Sequence, residues 1–295
     1  VNLILLGLGI LLSLSFGISD FLAKDATTKS GAYRTAVYVL ALSGIGVLFP
    51  GLLLKSSPVS SLWSILVLVF VAVTTYLANV AIYNAYRKGM LSLTAPIVNS
   101  YPAIVVILSI FLIGASFSLG AIVSLVVVIV GVVLVSTSIS DLKKRLIARG
   151  ALAPGVGSAF VAMAFFAASW TAFGYASLTL GYFLPAVALR LGAAGVGFGL
   201  APLLKEDVRP KFWGAFSRLI AMSALETLGV VVFSLAAIVS GSPDAVPIMT
   251  VFAAMGAAIT VFLALFFLKE RLEINHAVGV AMLIVGVAFL LYLTS

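Results

Sequence analysis

The chain has 295 residues, 63% of them hydrophobic and 9% charged, with 17 Lys and Arg against 9 Asp and Glu for a formal net charge of +8. A soluble domain carries roughly 25% charged residues, so these charges cannot cover a soluble fold, and so much apolar surface excludes disorder. Cysteine is absent and His276 is the single histidine, which removes disulfides and thiolate chemistry; no cofactor and no metal are expected.

Apolar runs of about 20 residues suffice to span a bilayer. Such runs fall at 3–22, 33–54, 62–85, 93–114, 118–138, 155–178, 183–204, 216–239, 246–268 and 275–294. They do not alternate apolar and polar residues as barrel strands do, so helices are predicted. Leu3 to Leu22 has no basic region before it and is expected to be a retained span. Near its end Asp20 stands one turn before Lys24, as an interfacial ion-pairing group or a gate.

Span three carries Tyr76, Asn79 and Tyr83 at helical spacing, and span four carries Asn99, Ser100 and Tyr101. Two readings stand for them: hydrogen bonding between helices, or a cavity wall that binds substrate. Trp170 and Tyr175 in span six extend that wall or serve as packing and interfacial anchors. Span seven holds Arg190 and a Gly195-to-Gly199 step suited to close helix contact. Span eight holds Glu226, and span ten opens at His276, expected at an interface. Pro96, Pro102 and Pro247 interrupt spans four and nine.

Arg190 is the deep base and Glu226 the deep acid of the spans, and such groups face the protein interior because lipid cannot hydrate them. At about 1.5 Å rise per residue, their depths differ by roughly 9 Å, a gap two extended side chains can bridge. Three roles are open: a structural ion pair, a clamp for a substrate carboxylate at Arg190, and proton coupling at Glu226.

The halves resemble each other. Pro96 and Pro247 open spans four and nine, 151 residues apart, and Ile129-Val130-Gly131-Val132 matches Ile284-Val285-Gly286-Val287 at 155. The chain thus divides into repeats at 1–150, with a basic loop between repeats, and 151–295. Five spans per repeat is an odd number, so the second copy is inverted. The expected fold class is an all-α integral membrane protein of ten transmembrane helices in two inverted five-helix repeats, with a midplane site between them. The connections on one side carry fifteen of the seventeen basic residues, among them Arg87, Lys88, Lys144 and Arg218, while the other side carries Lys55. The basic side is read as cytoplasmic, with both termini outside.

Phe16-Gly17-Ile18-Ser19-Asp20-Phe21-Leu22-Ala23-Lys24 and Leu265-Phe266-Phe267-Leu268-Lys269-Glu270-Arg271-Leu272, followed by Gly279 and Ile284-Val285-Gly286-Val287, resemble the EamA family of the drug/metabolite transporter superfamily. The resemblance covers the whole chain in span number and duplication. It implies a ten-helix transporter of small metabolites, often an exporter, with cytosolic termini; the charges of this chain point the other way.

The expected function is secondary transport, by alternating access, of a small polar, amino-acid-like metabolite across the cytoplasmic membrane, in the direction of export. The expected substrate-binding residues are Arg190, Glu226, Tyr76, Asn79, Tyr83, Asn99, Tyr101 and Trp170. Two alternatives are a carrier of quaternary ammonium or other organic cations, caged by Tyr76, Tyr83, Tyr101 and Trp170, and a non-transporting membrane scaffold. No enzyme is expected: one interfacial histidine supplies no catalytic triad, and no Gly-rich loop before Lys-Ser or Lys-Thr supplies ATP binding. The expected partners are membrane lipid and a small-molecule substrate, without nucleic acid, and a monomer is an allowed assembly.

Overall fold

The structure, a computed structural model, describes residues 2–53, 57–59, 61–89, 91–136, 154–209, 214–268 and 274–293. The regular elements among them are helices: α1 (Asn2–Ser30), α2 (Ala32–Leu48), α3 (Leu62–Lys88), α4 (Leu91–Val98), α5 (Tyr101–Leu112), α6 (Leu119–Ser136), α7 (Val156–Leu180), α8 (Phe183–Leu200), α9 (Phe216–Ser240), α10 (Ala245–Leu268) and α11 (Ile274–Leu293). Six of them, α1, α3, α7, α8, α9 and α10, are long and apolar enough to cross a membrane, and α2, α5, α6 and α11 are shorter apolar helices. Leu3, Phe70, Phe111 and Ile284 lie exposed on the outside, as a bundle solvated by lipid requires.

Each predicted span falls on a helix, with three differences. The first helix continues to Ser30, where Gly31, at φ 83°, turns the chain into α2. Only glycine adopts that backbone without a steric cost. The fourth span is broken into α4 and α5 around Asn99 and Ser100, because Pro102 has no N–H and is accommodated only in the first turn of a new helix. Within α8, residues Ala188–Gly192 form a π turn that contains Arg190. The basic stretch 137–153 and the turn 269–273, which holds the Lys-Glu-Arg of the family resemblance, lie outside the described residues.

Helix packing repeats itself between the halves. Helix α1 packs on α9 and α10, while α7 packs on α3, α4 and α5; α2 packs on α9, while α8 packs on α3; α2 meets α8, and α6 meets α11. Exchanging α1 with α7, α2 with α8, α3 with α9, α4–α5 with α10 and α6 with α11 leaves this pattern unchanged. Glycines set the close approaches. A methyl on Gly17 of α1 would overlap the carbonyl of Gly256 in α10, and one on Gly286 of α11 would overlap Val128 of α6. The seam expected at Gly195 and Gly199 is not where α8 packs. Both face open space, and Gly197 instead sits against Val37 and Tyr76, with its carbonyl accepting from the Tyr33 hydroxyl at 2.6 Å.

The charged contacts gather at one end. Asp25 pairs with Lys29 at 2.9 Å and with Arg218, and Arg34 reaches Asp207 at 3.2 Å. Lys24 donates to the carbonyls of Tyr86 and Gly89 at 2.6 and 2.7 Å, neutralising the negative end of the α3 dipole. At the opposite end the contacts are mostly neutral: Ser57 N donates to Leu180 O at 2.8 Å, and Ser116 N to the Asp244 carboxylate at 2.8 Å.

Candidate functional site

A cavity lies between the halves, lined from α1 by Phe16 and Asp20, from α3 by Thr75, Asn79, Ile82 and Tyr83, and from α4, α5 and their junction by Val98, Asn99 and Tyr101. The second half contributes Phe166, Ser169 and Trp170 from α7, Leu189 and Arg190 from α8, Glu226 from α9 and Ala253 from α10. Its accessible volume is about 60 Å³, room for roughly four waters at about one probe sphere each. A metabolite of amino-acid size therefore enters only if the helices part.

Arg190 and Glu226 meet inside it. Nη2 of Arg190 donates to Oε2 of Glu226 at 2.6 Å, and Ser19 donates to Oε1 at 3.0 Å. The pair thus ties α8 and α9 to α1. Arg190 is 3% exposed, and its Nε is a buried donor without a hydrogen-bond partner. The guanidinium presents parallel donors that match a carboxylate two at a time, and here that match is incomplete. The π turn around Arg190 is the kind of irregularity that recurs at functional positions in helices.

A second, neutral contact of similar placement lines the cavity. The Thr75 hydroxyl bonds the Ser169 hydroxyl in the position that Glu226 and Ser19 occupy on the other side. Thr75 and Glu226 are 151 residues apart, and Ser19 and Ser169 are 150 apart. One half makes a neutral contact where the other makes a charged one.

Seven of the eight expected residues line the cavity. Tyr76 does not: its ring packs edge-on against Tyr33 at 6.0 Å, between α2 and α8. The helical turn carries Thr75 to the cavity side instead, a residue whose short polar side chain gave no signal by itself. Tyr175 also lies elsewhere, accepting from Trp63 Nε1 at 3.3 Å in an apolar crevice between α3, α5 and α7. Asn79 and Asn99 each donate one amide N–H back by four residues, to the carbonyls of Thr75 and Ala95 at 2.9 and 3.0 Å. Trp170 stacks tilted on Phe233 at 4.6 Å and meets Phe16 edge-on at 6.2 Å. Asp20 was expected at an interface beside Lys24. Because α1 runs on to Ser30, it lies about two turns further from the helix end than expected and faces the cavity, accepting from the Tyr86 hydroxyl at 3.0 Å. Among the described residues, no group of three or more metal-ligating side chains forms.

An all-helical, multi-pass membrane protein with a cavity of mixed aromatic, polar and charged lining is the class these features define. Residues 3–137 match the model of the EamA-like transporter family, a likeness that covers a little under half of the chain. Of the quoted motifs, Phe16 to Lys24 lies within the match. An uncharacterized protein of Methanocaldococcus jannaschii is 25% identical over 134 residues, which are 44% of this chain and 95% of that one. A protein of known crystal structure superposes with a TM-score of 0.64 at 13% identity, covering 96% of this chain and 99% of the other. That likeness concerns the fold.

Proposed function

We propose that the chain is a secondary transporter of a small, polar, amino-acid-like metabolite, built from ten membrane-crossing helices in two inverted five-helix repeats, 1–150 and 151–295. Alternating access comes from one repeat rocking against the other around the cavity. Several findings support the inversion. Tyr33 meets Gly197 while Gly44 meets Leu191, so the counterpart helices α2 and α8 run antiparallel. Asn275 donates to Leu134 O at 2.9 Å while Gly286 meets Val128, so α6 and α11 do too. A relative that is nearly all one repeat long fits a duplicated ancestor.

The observation that carries the function is the buried Arg190–Glu226 pair in the cavity wall with one guanidinium donor unsatisfied. In this reading a substrate carboxylate takes Arg190 in exchange with Glu226, and the released Glu226 loosens its hold on α1 through Ser19. Thr75, Asn79, Tyr83, Asn99, Tyr101, Ser169 and Trp170 form the remaining wall. The basic end is cytoplasmic, and transport runs outward. Thermal-shift screening of the purified protein against a metabolite library tests the site, because a bound ligand stabilises the folded state by mass action. Stabilisation by compounds bearing a carboxylate, lost in Arg190→Ala, is the expected result. A library without a single stabilising compound favours the scaffold reading.

A further inference from the structure

Two of the three charges in the cavity wall answer each other, and the third does not. Arg190 is held by Glu226. Asp20 faces the same space with the neutral hydroxyl of Tyr86 on its Oδ2 at 3.0 Å. Lys24 stands one turn along α1, where an acid and a base four residues apart ordinarily meet. Its ammonium is instead engaged by the carbonyls of Tyr86 and Gly89. Among the described residues, no ion pair is formed at Asp20. The cavity therefore holds a carboxyl group with no counter-charge, which is stable as an anion only when a cationic partner joins it.

The surroundings of Asp20 point to the partner's chemistry. Phe16 is one turn before it on the same helix, and Tyr83, Tyr101, Phe166 and Trp170 line the same cavity. Trp170 occupies in the second half the place that Asp20 has in the first, 150 residues apart. The second half thus contributes an aromatic ring, and the first a carboxyl group, to one cavity wall. A ring face and a carboxylate together suit a substituted ammonium, whose charge is diffuse and whose N–H groups donate.

We propose that Asp20 is an ammonium-binding subsite of the cavity, so that the transported molecule carries a protonated amine. The inference rests on the cavity being the substrate site. With Arg190 as the carboxylate subsite, the two together select a zwitterion; Asp20 alone accepts a simple amine.

The test is equilibrium binding to the full chain in detergent or nanodiscs at pH 7, with 2-phenylethylamine against 2-phenylethanol, and L-phenylalanine against 3-phenylpropionate. The amine-bearing member of each pair is expected to bind more tightly, and Asp20→Asn to weaken amines by about tenfold or more while leaving the alcohol unchanged. Asp20→Glu places the carboxylate one methylene further into the cavity. It should keep the ammonium preference and shift it toward shorter amines, a readout that holds if Asp20→Asn does not fold. Equal binding of amine and alcohol, undiminished amine binding by Asp20→Asn, or an unchanged length ranking in Asp20→Glu overturns the proposal. So does stabilisation of the protein by sodium chloride and not by amines, which would make the partner a metal cation. Binding needs no flux. Amine binding without transport refutes the transporter reading and leaves Asp20 standing; flux of metabolites without any amine preference does the reverse.

Discussion

At the scale of residues, the Arg190–Glu226 pair is the most sensitive point of the molecule, because removing one partner leaves a buried charge stranded. Arg190→Ala and Glu226→Gln should each cost about 3–5 kcal/mol of stability, read by denaturant unfolding of the purified protein. The double replacement by Leu should recover part of that loss and still abolish transport. Recovery of transport along with stability would make the pair purely structural. Its neutral twin provides the scale. Thr75→Val removes one hydroxyl contact to Ser169, and contacts of that kind in membranes average about 0.6 kcal/mol. A Thr75→Val loss as large as that of Glu226→Gln would show that charge is not what matters there. The two deep charges were legible in the sequence because ionisable groups are so costly in lipid. Asp20 was not, since its depth depends on where α1 ends. Thr75 and Ser169 were not either, since hydroxyls are cheap anywhere in a helix.

Elements meet where glycine lets backbones approach, and the seam is specific. Gly17→Val should lower the yield of folded protein sharply, because its side chain would drive into the Gly256 carbonyl and separate α1 from α10. Gly195→Ala should be neutral or stabilising by about 0.5–1 kcal/mol, since an alanine in a helix interior loses less backbone entropy than glycine and nothing stands near it. Size-exclusion profiles and unfolding midpoints of the two variants check both expectations. Each apolar run of the sequence falls on helix among the described residues, because apolar length is what a bilayer demands. Hydropathy did not locate the break at Ser100 or the π turn around Arg190: one depends on which turn of the helix a proline enters, the other on local packing. A Gly-x-x-x-Gly spacing likewise states that two glycines share a face and leaves open what that face touches. Tyr76 misled for the same reason. It shares a broad face with Asn79 and Tyr83, but at the edge that turns toward α2 and α8.

For the whole molecule, the charge distribution predicts which end faces the cytoplasm. Because the chain has no cysteine, single substitutions report sidedness directly. Ser57→Cys should react with an impermeant thiol reagent in intact cells, and Lys144→Cys should react only after the membrane is opened. The reverse pattern would place the basic end outside and agree with the orientation that the family resemblance implies. The proposed duplication rests in the sequence on matching motifs such as those around Gly131 and Gly286. The structure adds that these two glycines lie in helices packed on one another. Most of the cavity's expected residues line it, but its size and its contacts were not readable, since its walls come from helices far apart in the chain. Transport requires that this cavity carry a substrate through the membrane. The direct measurement is flux of radiolabelled amino acids and amines into sealed proteoliposomes, comparing the native chain with Arg190→Ala and Asp20→Asn preparations shown to be folded. Saturable flux is expected for the native protein and is lost in Arg190→Ala and, for amine-bearing substrates, in Asp20→Asn. Flux that persists undiminished in both folded variants, or no flux of any compound by the folded native protein, would contradict transport through this cavity.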